Sequence, residues 1–219
     1  MGRNETDAVK PGFTPILPIA AALLMASAGY ANAAEATKGS ARAELCAPCH
    51  GAAGISHFAE VPHLAGQQRE YLIAEMKAFR RATDPRTPTR HWNRRREAIM
   101  DHQLSTMSDA DIENLAAYFA AQACASPTAA GTAATPKLAQ RCVSCHGEDG
   151  RSRTVTVPHL AGQRQRYLEN QLRAFRDSGH KPGAEPRVRT DPIMGRQSVN
   201  LSDADIVEIA AYFAGRRCR

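Results

Sequence analysis

Two short cysteine motifs constrain this chain more than any other feature. The run C-A-P-C-H at residues 46–50 returns as C-V-S-C-H at residues 142–146. Two thiols three residues apart lie on one side of a helical turn, where each can form a thioether with a haem vinyl group, and the histidine that follows can coordinate the iron. We therefore predict two covalent haem c groups. Their predicted attachment residues are Cys46, Cys49, Cys142 and Cys145, with His50 and His146 as axial iron ligands.

Structural zinc is one alternative for these motifs, because paired C-x-x-C motifs also bind zinc. The next cysteines along the chain, Cys124 and Cys218, each come more than 70 residues after a motif. A tetrahedral zinc site would need the two distant pairs to meet, and it would leave both adjacent histidines unexplained. A thioredoxin-like redox pair would need a βαβ pattern, and neither motif has one around it. These comparisons favour haem.

The sequence around the motif is duplicated too. Residues 142–175 match residues 46–79 at a constant offset of 96, and residues 194–218 match residues 100–124 at an offset of 94. Strand patterns are absent from both copies, so the duplication predicts an all-α chain of two small domains. We expect a signal peptide at 1–33, a first domain at 34–124, a linker of small residues at 125–136 and a second domain at 137–219.

Residues 1–33 have the features of an export signal. Arg3 and Lys10 precede an apolar run at 16–28, and residues 31–33 form an A-x-A cleavage pattern. An uncleaved membrane anchor is the alternative, because the apolar stretch is nearly long enough to span a bilayer, and it would hold the domains at the membrane periphery. Both interpretations place the haem domains outside the cytoplasm.

Helical periodicity predicts the local elements of the first copy. A short helix from Lys38 to Cys49 ends in the haem motif, and an amphipathic helix spans Gln68 to Arg81. A polar, arginine-rich loop follows at residues 82–96. Ser108 then opens a last helix, Ile112 to Ala123, with a capping box. The apolar stripe predicted for that helix is Ile112, Leu115, Ala116 and Phe119.

Each iron needs a sixth ligand on the far side of the haem. Met100 and Met194 are the only methionines that coincide between the copies, and both precede the last helix by the same distance. His63 and His159 also coincide and are the rival candidates. We favour the two methionines, because one methionine is often core filling, whereas the same methionine repeated in two haem modules indicates a ligand.

Net charge is unevenly distributed along the chain. The total is +6, and residues 34–136 carry 11 basic and 11 acidic side chains, whereas residues 137–219 carry 15 and 9. No dense basic stripe or reading motif accompanies this charge, so it does not indicate a nucleic-acid-binding protein. A positive second domain can orient the protein towards an anionic redox partner.

Several motifs together resemble the dihaem cytochrome c4 family over residues 38–217. They are the two haem motifs, P-H-L-A-G-Q at 62–67 and 158–163, Y-L…A-F-R at 71–80 and 167–176, and the S-D-A-D-I…A-A-Y-F-A endings after Met100 and Met194. The resemblance implies two class I cytochrome c folds related by a pseudo-twofold axis. It also implies periplasmic electron transfer from a quinol-oxidising complex to a terminal oxidase or another acceptor. By the same resemblance, the backbone of Pro62 and of Pro158 is expected to steady the proximal histidines.

Two other functions compete with a soluble electron carrier. A dihaem enzyme would need an open or unusual iron ligand, which the symmetry of Met100 and Met194 argues against. An electron-accepting subunit of a larger dehydrogenase, as in flavocytochrome c, would have much the same sequence. The sequence also leaves open whether Cys124 and Cys218 form a disulfide, and whether the arginine-rich loop contacts a partner, a haem propionate or only solvent. His63 and His159 could contact propionates, lie at the domain interface or be surface residues.

Overall fold

The computed structural model describes residues 36–82, 95–125, 134–180 and 189–218. The predicted signal peptide, most of the linker and most of the arginine-rich loop lie outside these ranges. The described part is helical: residues 36–43 form α1, followed by α2 (Ala47–His50), α3 (Arg69–Ala82), α4 (Ala98–Leu104), α5 (Asp109–Ala121), α6 (Gln140–His146), α7 (Gln165–His180), α8 (Pro192–Ser198) and α9 (Asp203–Ala214). Across these ranges, no helix is long and apolar enough to span a bilayer.

Each copy of the repeat encloses its own hydrophobic core. In the first copy α3 packs against α4 and α5, and in the second α7 packs against α8 and α9. The predicted stripe of α5 is fully buried in the first core, and Ile206, Ile209 and Phe213 of α9 fill the second. The structure thus confirms the prediction of two small all-α domains, and the only extended pairing among the described residues is a bridge between Arg95 and Arg189.

Capping boxes fix the start of the last helix in each domain. The Ser108 hydroxyl accepts from the Asp111 backbone N–H at 3.1 Å, and the Asp111 carboxylate accepts from the Ser108 N–H at 3.1 Å. Ser202 and Asp205 repeat this exchange at 3.2 and 2.8 Å. The capping box was correctly predicted, although the helix ends at Ala121 rather than Ala123.

The helix predicted from Lys38 to Cys49 is wrong, because the chain turns at residues 44–46 between α1 and α2. Pro48 gives the physical reason. In one continuous helix its ring would clash with the carbonyl of Glu44, four residues earlier, and it has no N–H to donate. The second copy has Ser144 at this position, and there α6 runs uninterrupted over the whole motif.

The two domains meet along a seam, by which we mean the whole interface between them. The P-H-L-A-G-Q segments at residues 62–67 and 158–163 contact each other within it. Cys124 and Cys218, which follow the last helices by a few residues, form a disulfide across this seam with their Cα atoms 6.0 Å apart. Gly66 packs against it with φ +67°, and a Cβ there would lie 2.5 Å from that of Cys124. The two domains therefore contact each other through equivalent residues, as a pseudo-twofold relation requires.

Candidate haem sites

His50 and His146 are the last residues of α2 and α6, and each is held by one carbonyl. Nδ1 of His50 lies 3.0 Å from the carbonyl oxygen of Pro62, and Nδ1 of His146 lies 3.0 Å from that of Pro158. A carbonyl only accepts, so Nδ1 carries the proton in both rings. The lone pair of Nε2 is then free to bind iron, and the ring orientation is fixed by the chain itself.

Both imidazoles are buried, with only 6% of each residue exposed. Burial lowers the pKa of His50 and of His146. The carbonyl hydrogen bonds partly oppose this effect, and the guanidinium charges of Arg95 and Arg189 lower the pKa by a smaller amount. The two rings are therefore neutral near pH 7. Neutral imidazole is the form that coordinates a metal.

The four motif cysteines take no part in a disulfide, so each is available for haem attachment. Burial raises the pKa of Cys46 and of Cys142, so these two thiols stay protonated, while Cys49 and Cys145 are exposed. The spacing leaves both sulfurs of a motif available for separate bonds to one haem. Within the described ranges, no cluster of three or more histidine, cysteine or acidic side chains is arranged to hold a metal ion, so the tetrahedral zinc alternative has no ligand set there.

Two buried serines, which the sequence analysis overlooked, brace the loops that follow the motifs. Ser56 donates to the carbonyl of Cys49 at 2.7 Å, and Ser152 donates to that of Cys145 at 2.7 Å. The two serines occupy equivalent positions of the repeat, 96 residues apart, and this coincidence could have identified them from the sequence. These bonds fix the chain directly after each attachment cysteine.

Met100 and Met194 are the third residues of two short helices, α4 and α8. The backbone N–H of Met100 donates to Glu97 at 3.0 Å, and that of Met194 donates to Asp191 at 2.8 Å. Both side chains are half-buried, and Met100 packs with Cys46 against the first core. Capping therefore fixes the two methionines in the same way in both domains.

The rival ligands, His63 and His159, already use Nδ1. It accepts from the backbone N–H of Ser56 at 3.0 Å in one case and of Ser152 at 3.1 Å in the other. Burial lowers the pKa of His63 to about 4, with further contributions from the positive charge of Arg164 and from neighbouring histidines. Both histidines lie at the seam, so contact between the domains explains why they occupy equivalent positions in the two copies. This explanation favours the methionines as the iron ligands.

A polar cluster at the seam was also missed. Arg95 and Arg189 are buried, each lies over a phenylalanine ring of its own domain, and each bonds a tyrosine of the other domain. The tyrosines, Tyr71 and Tyr167, are part of the repeated Y-L…A-F-R segments, but helical periodicity describes the face of a helix and not the residue that contacts it. The hydroxyl groups were the only sequence signal of a polar contact.

Both halves of the chain match proteins of one kind. The cytochrome c family model matches residues 34–122 and 132–215. A cytochrome c4 from Azotobacter vinelandii is 32% identical over 88% of this chain and 95% of its own length. The crystal structure of reduced cytochrome c4 from Pseudomonas stutzeri aligns with a TM-score of 0.66 at 26% identity, covering 83% of this chain and 98% of that one. A thiosulfate dehydrogenase electron acceptor from Thiomonas intermedia is 26% identical over 93% of each chain.

The residues described above fit haem c. Each domain presents two separate thiols, one neutral histidine with its outer nitrogen free, and one methionine positioned by a capped helix. Sulfur and imidazole nitrogen are the donor atoms that haem c takes from a protein.

Proposed function

The chain belongs to the cytochrome c family as a dihaem electron-transfer protein of the cytochrome c4 type, with two covalent haem c groups, and we propose that it shuttles electrons between two protein partners in the periplasm. In this proposal a quinol-oxidising complex of the quinol–cytochrome c oxidoreductase type is the donor. A terminal oxidase or another redox protein is the acceptor. The haem iron supplies the one-electron chemistry.

We assign one ligand set to each domain. Cys46 and Cys49 hold the first haem, with His50 and Met100 as axial ligands. The second set is Cys142, Cys145, His146 and Met194. The Pro62 and Pro158 carbonyls keep both histidines in one tautomer and one orientation, which limits rearrangement of the site when its charge changes.

One observation carries this proposal: the two sites are built alike. Each has the same histidine–carbonyl bond, and each has a methionine at the third position of a capped helix. An axial ligand on both sides leaves no position for oxygen, peroxide or another substrate. Two such sites suit electron transfer rather than catalysis.

A redox titration of the mature protein tests the carrier function. The visible haem bands and the weak far-red sulfur-to-iron absorption of the oxidised form would be followed together. We expect two haems per chain, sulfur absorption from both and two fairly high potentials, because thioether ligation raises the potential relative to two histidines. Sulfur absorption from only one haem, or one strongly negative potential, would favour a dihaem enzyme.

A second candidate function is the electron-accepting subunit of a dehydrogenase. The similarity to the thiosulfate dehydrogenase electron acceptor from Thiomonas intermedia over almost the whole chain supports it. Stopped-flow reduction would compare two donors at equal concentration: a quinol-oxidising complex with quinol, and a thiosulfate dehydrogenase with thiosulfate. Fast reduction by thiosulfate dehydrogenase, without reduction by the quinol-oxidising complex, would favour the dehydrogenase subunit over the carrier.

A further inference from the structure

Arg95 and Arg189 form the centre of a cluster that spans the seam almost symmetrically. Their backbones pair as a single antiparallel bridge. The Arg95 guanidinium donates to the hydroxyl of Tyr167 at 2.9 Å, and the Arg189 guanidinium donates to that of Tyr71 at 2.8 Å. Each arginine of one domain is therefore bonded to the tyrosine of the other.

One position breaks this symmetry. Glu75 of α3 corresponds in the repeat to Gln171 of α7. The Glu75 carboxylate forms an ion pair with Arg95 and a second one with Arg189, at 3.2 Å. Gln171 offers only a neutral amide oxygen, which accepts from Arg189. Among the residues that the structure describes, the cluster thus has one acidic side chain, and it comes from the first domain.

The charges in this cluster are well shielded from water. The side chain of Glu75 is 14% exposed, and those of Arg95 and Arg189 are 11% and 10% exposed. Two buried cations with one carboxylate leave a net positive charge, which is costly to bury without a further anion. A haem carries two propionate groups that can supply such an anion.

The same guanidinium charges reach the proximal histidines. Arg95 lies over the ring of Phe79 at 4.4 Å, in the core against which Cys46 and Met100 pack, and Arg189 lies over Phe175 at 4.5 Å. Each guanidinium adds to the larger effect of burial in lowering the pKa of the histidine of its own domain, His50 or His146. A charge that is felt at the proximal histidine is felt at the iron as well, because the low dielectric of a buried site screens it weakly. Any group that neutralises one arginine more than the other therefore makes the two iron sites electrically unequal.

We propose that Glu75 makes the reduction potentials of the two haems unequal, acting through the buried Arg95–Arg189 pair. Its negative charge favours the oxidised, more positive iron and so lowers the potential. The effect is larger at the first haem, because Glu75 lies on α3 of the first domain and its ion pair with Arg95 is closer than its ion pair with Arg189, which also bonds the neutral Gln171. This inference rests on the ligand assignment under the proposed function.

The test is a redox titration of Glu75→Gln, which makes the cluster symmetric with glutamine on both sides. We expect the potential of the first haem to shift upwards by more than that of the second. Haem methyl resonances, followed by NMR during the titration, report on each haem separately. The matched control is Glu70→Gln, which removes the same charge from the exposed start of the same helix and should leave both potentials unchanged.

A reciprocal variant keeps the test decisive if Glu75→Gln does not fold. Gln171→Glu adds a carboxylate beside Arg189 and should lower the potential of the second haem more. The double exchange, Glu75→Gln with Gln171→Glu, keeps the net charge and should transfer the larger downward effect from the first haem to the second. Equal shifts of both haems, or none, in a folded variant with two haems would overturn the proposal. Failure of the ligand assignment would appear separately, as altered haem content or lost sulfur absorption in the unmutated protein.

Discussion

Gln67 and Gln163 clamp the two domains together through the same pair of hydrogen bonds in opposite directions. The Gln67 amide oxygen accepts from the N–H of His159 at 2.8 Å, and its nitrogen donates to the carbonyl of that residue at 2.9 Å. Gln163 does the same with His63, at 2.8 and 2.9 Å. One side chain thus satisfies both backbone groups of one residue, which makes each glutamine a specific connector between the haem domains.

Replacing Gln67 with alanine should destabilise the protein by about 2 kcal/mol, because it leaves the N–H and C=O of His159 without their partner at a partly buried seam. Denaturant unfolding of the haem-loaded protein, followed by far-ultraviolet circular dichroism, measures this. Gln140→Ala, at an exposed position of the second domain, is the control and should unfold like the wild type. An unchanged midpoint for Gln67→Ala would show that the clamp contributes nothing to stability.

The disulfide should stabilise the folded protein by about 2–4 kcal/mol, because it closes a loop between residues 94 apart in sequence and restricts the unfolded chain. Thermal unfolding would compare the protein with and without a phosphine reductant. Ascorbate in both samples would keep the iron reduced, so that only the disulfide differs. We expect a lower unfolding temperature when the phosphine is present.

The double variant Cys124→Ser with Cys218→Ser is the matched control for the reductant. It should unfold at the lower temperature in both samples, without any response to the phosphine. Thiol labelling of the unfolded, unreduced holoprotein gives an independent measure, because the motif cysteines are held in thioethers. Two labelled thiols before reduction would contradict the disulfide.

Local features of this chain were predictable from sequence because their determinants are local. The haem motifs, the Ser108 capping box and the stripe of α5 each depend on residues within a few turns of one another. The break before Pro48 was predictable on the same basis, since the steric rule for proline concerns only the preceding turn. The duplication then extended each of these features to the second domain.

Contacts across the seam were not predictable in this way. Whether Cys124 reaches Cys218 depends on how two separately folded domains dock, and sequence spacing carries no information about that distance. Tyr71 shows the same limit: its position predicts a helix face, but the arginine that faces it comes from the other domain. The exchange of Glu75 for Gln171 was visible in the repeat, yet it gained meaning only when both side chains were found beside Arg189.

Acid should destabilise the seam through His63. Its pKa of about 4 in the folded protein lies below the ordinary value of 6.5, because burial and the charge of Arg164 oppose protonation. Between these two pH values the unfolded chain binds a proton that the folded protein does not, so the stabilising contribution is complete above about pH 6.5 and is lost as the pH falls towards 4. Protonation also removes the acceptor of the Ser56 N–H.

The free energy of unfolding, measured by denaturant titration from pH 4 to pH 7, checks this behaviour. The wild type should lose stability on acidification more steeply than His63→Asn, which cannot titrate in this range. The difference between the two curves isolates this residue from other groups that titrate. Parallel curves would rule out a role for His63 in the acid response.

Replacing either methionine that we propose as an axial ligand with histidine should remove the sulfur-to-iron absorption of one haem and leave that of the other. Met100→His is expected to lose about half of the far-red band and to lower one reduction potential, because a second imidazole favours the reduced iron less than a thioether does. Met194→His should do the same at the other haem, and the double variant should lose the band completely. Met107→Leu is the matched control, since Met107 is buried in the first core where the second domain has Leu201, and it should keep both potentials and the whole band. A full band in Met100→His would show that another residue is the sixth ligand of the first haem.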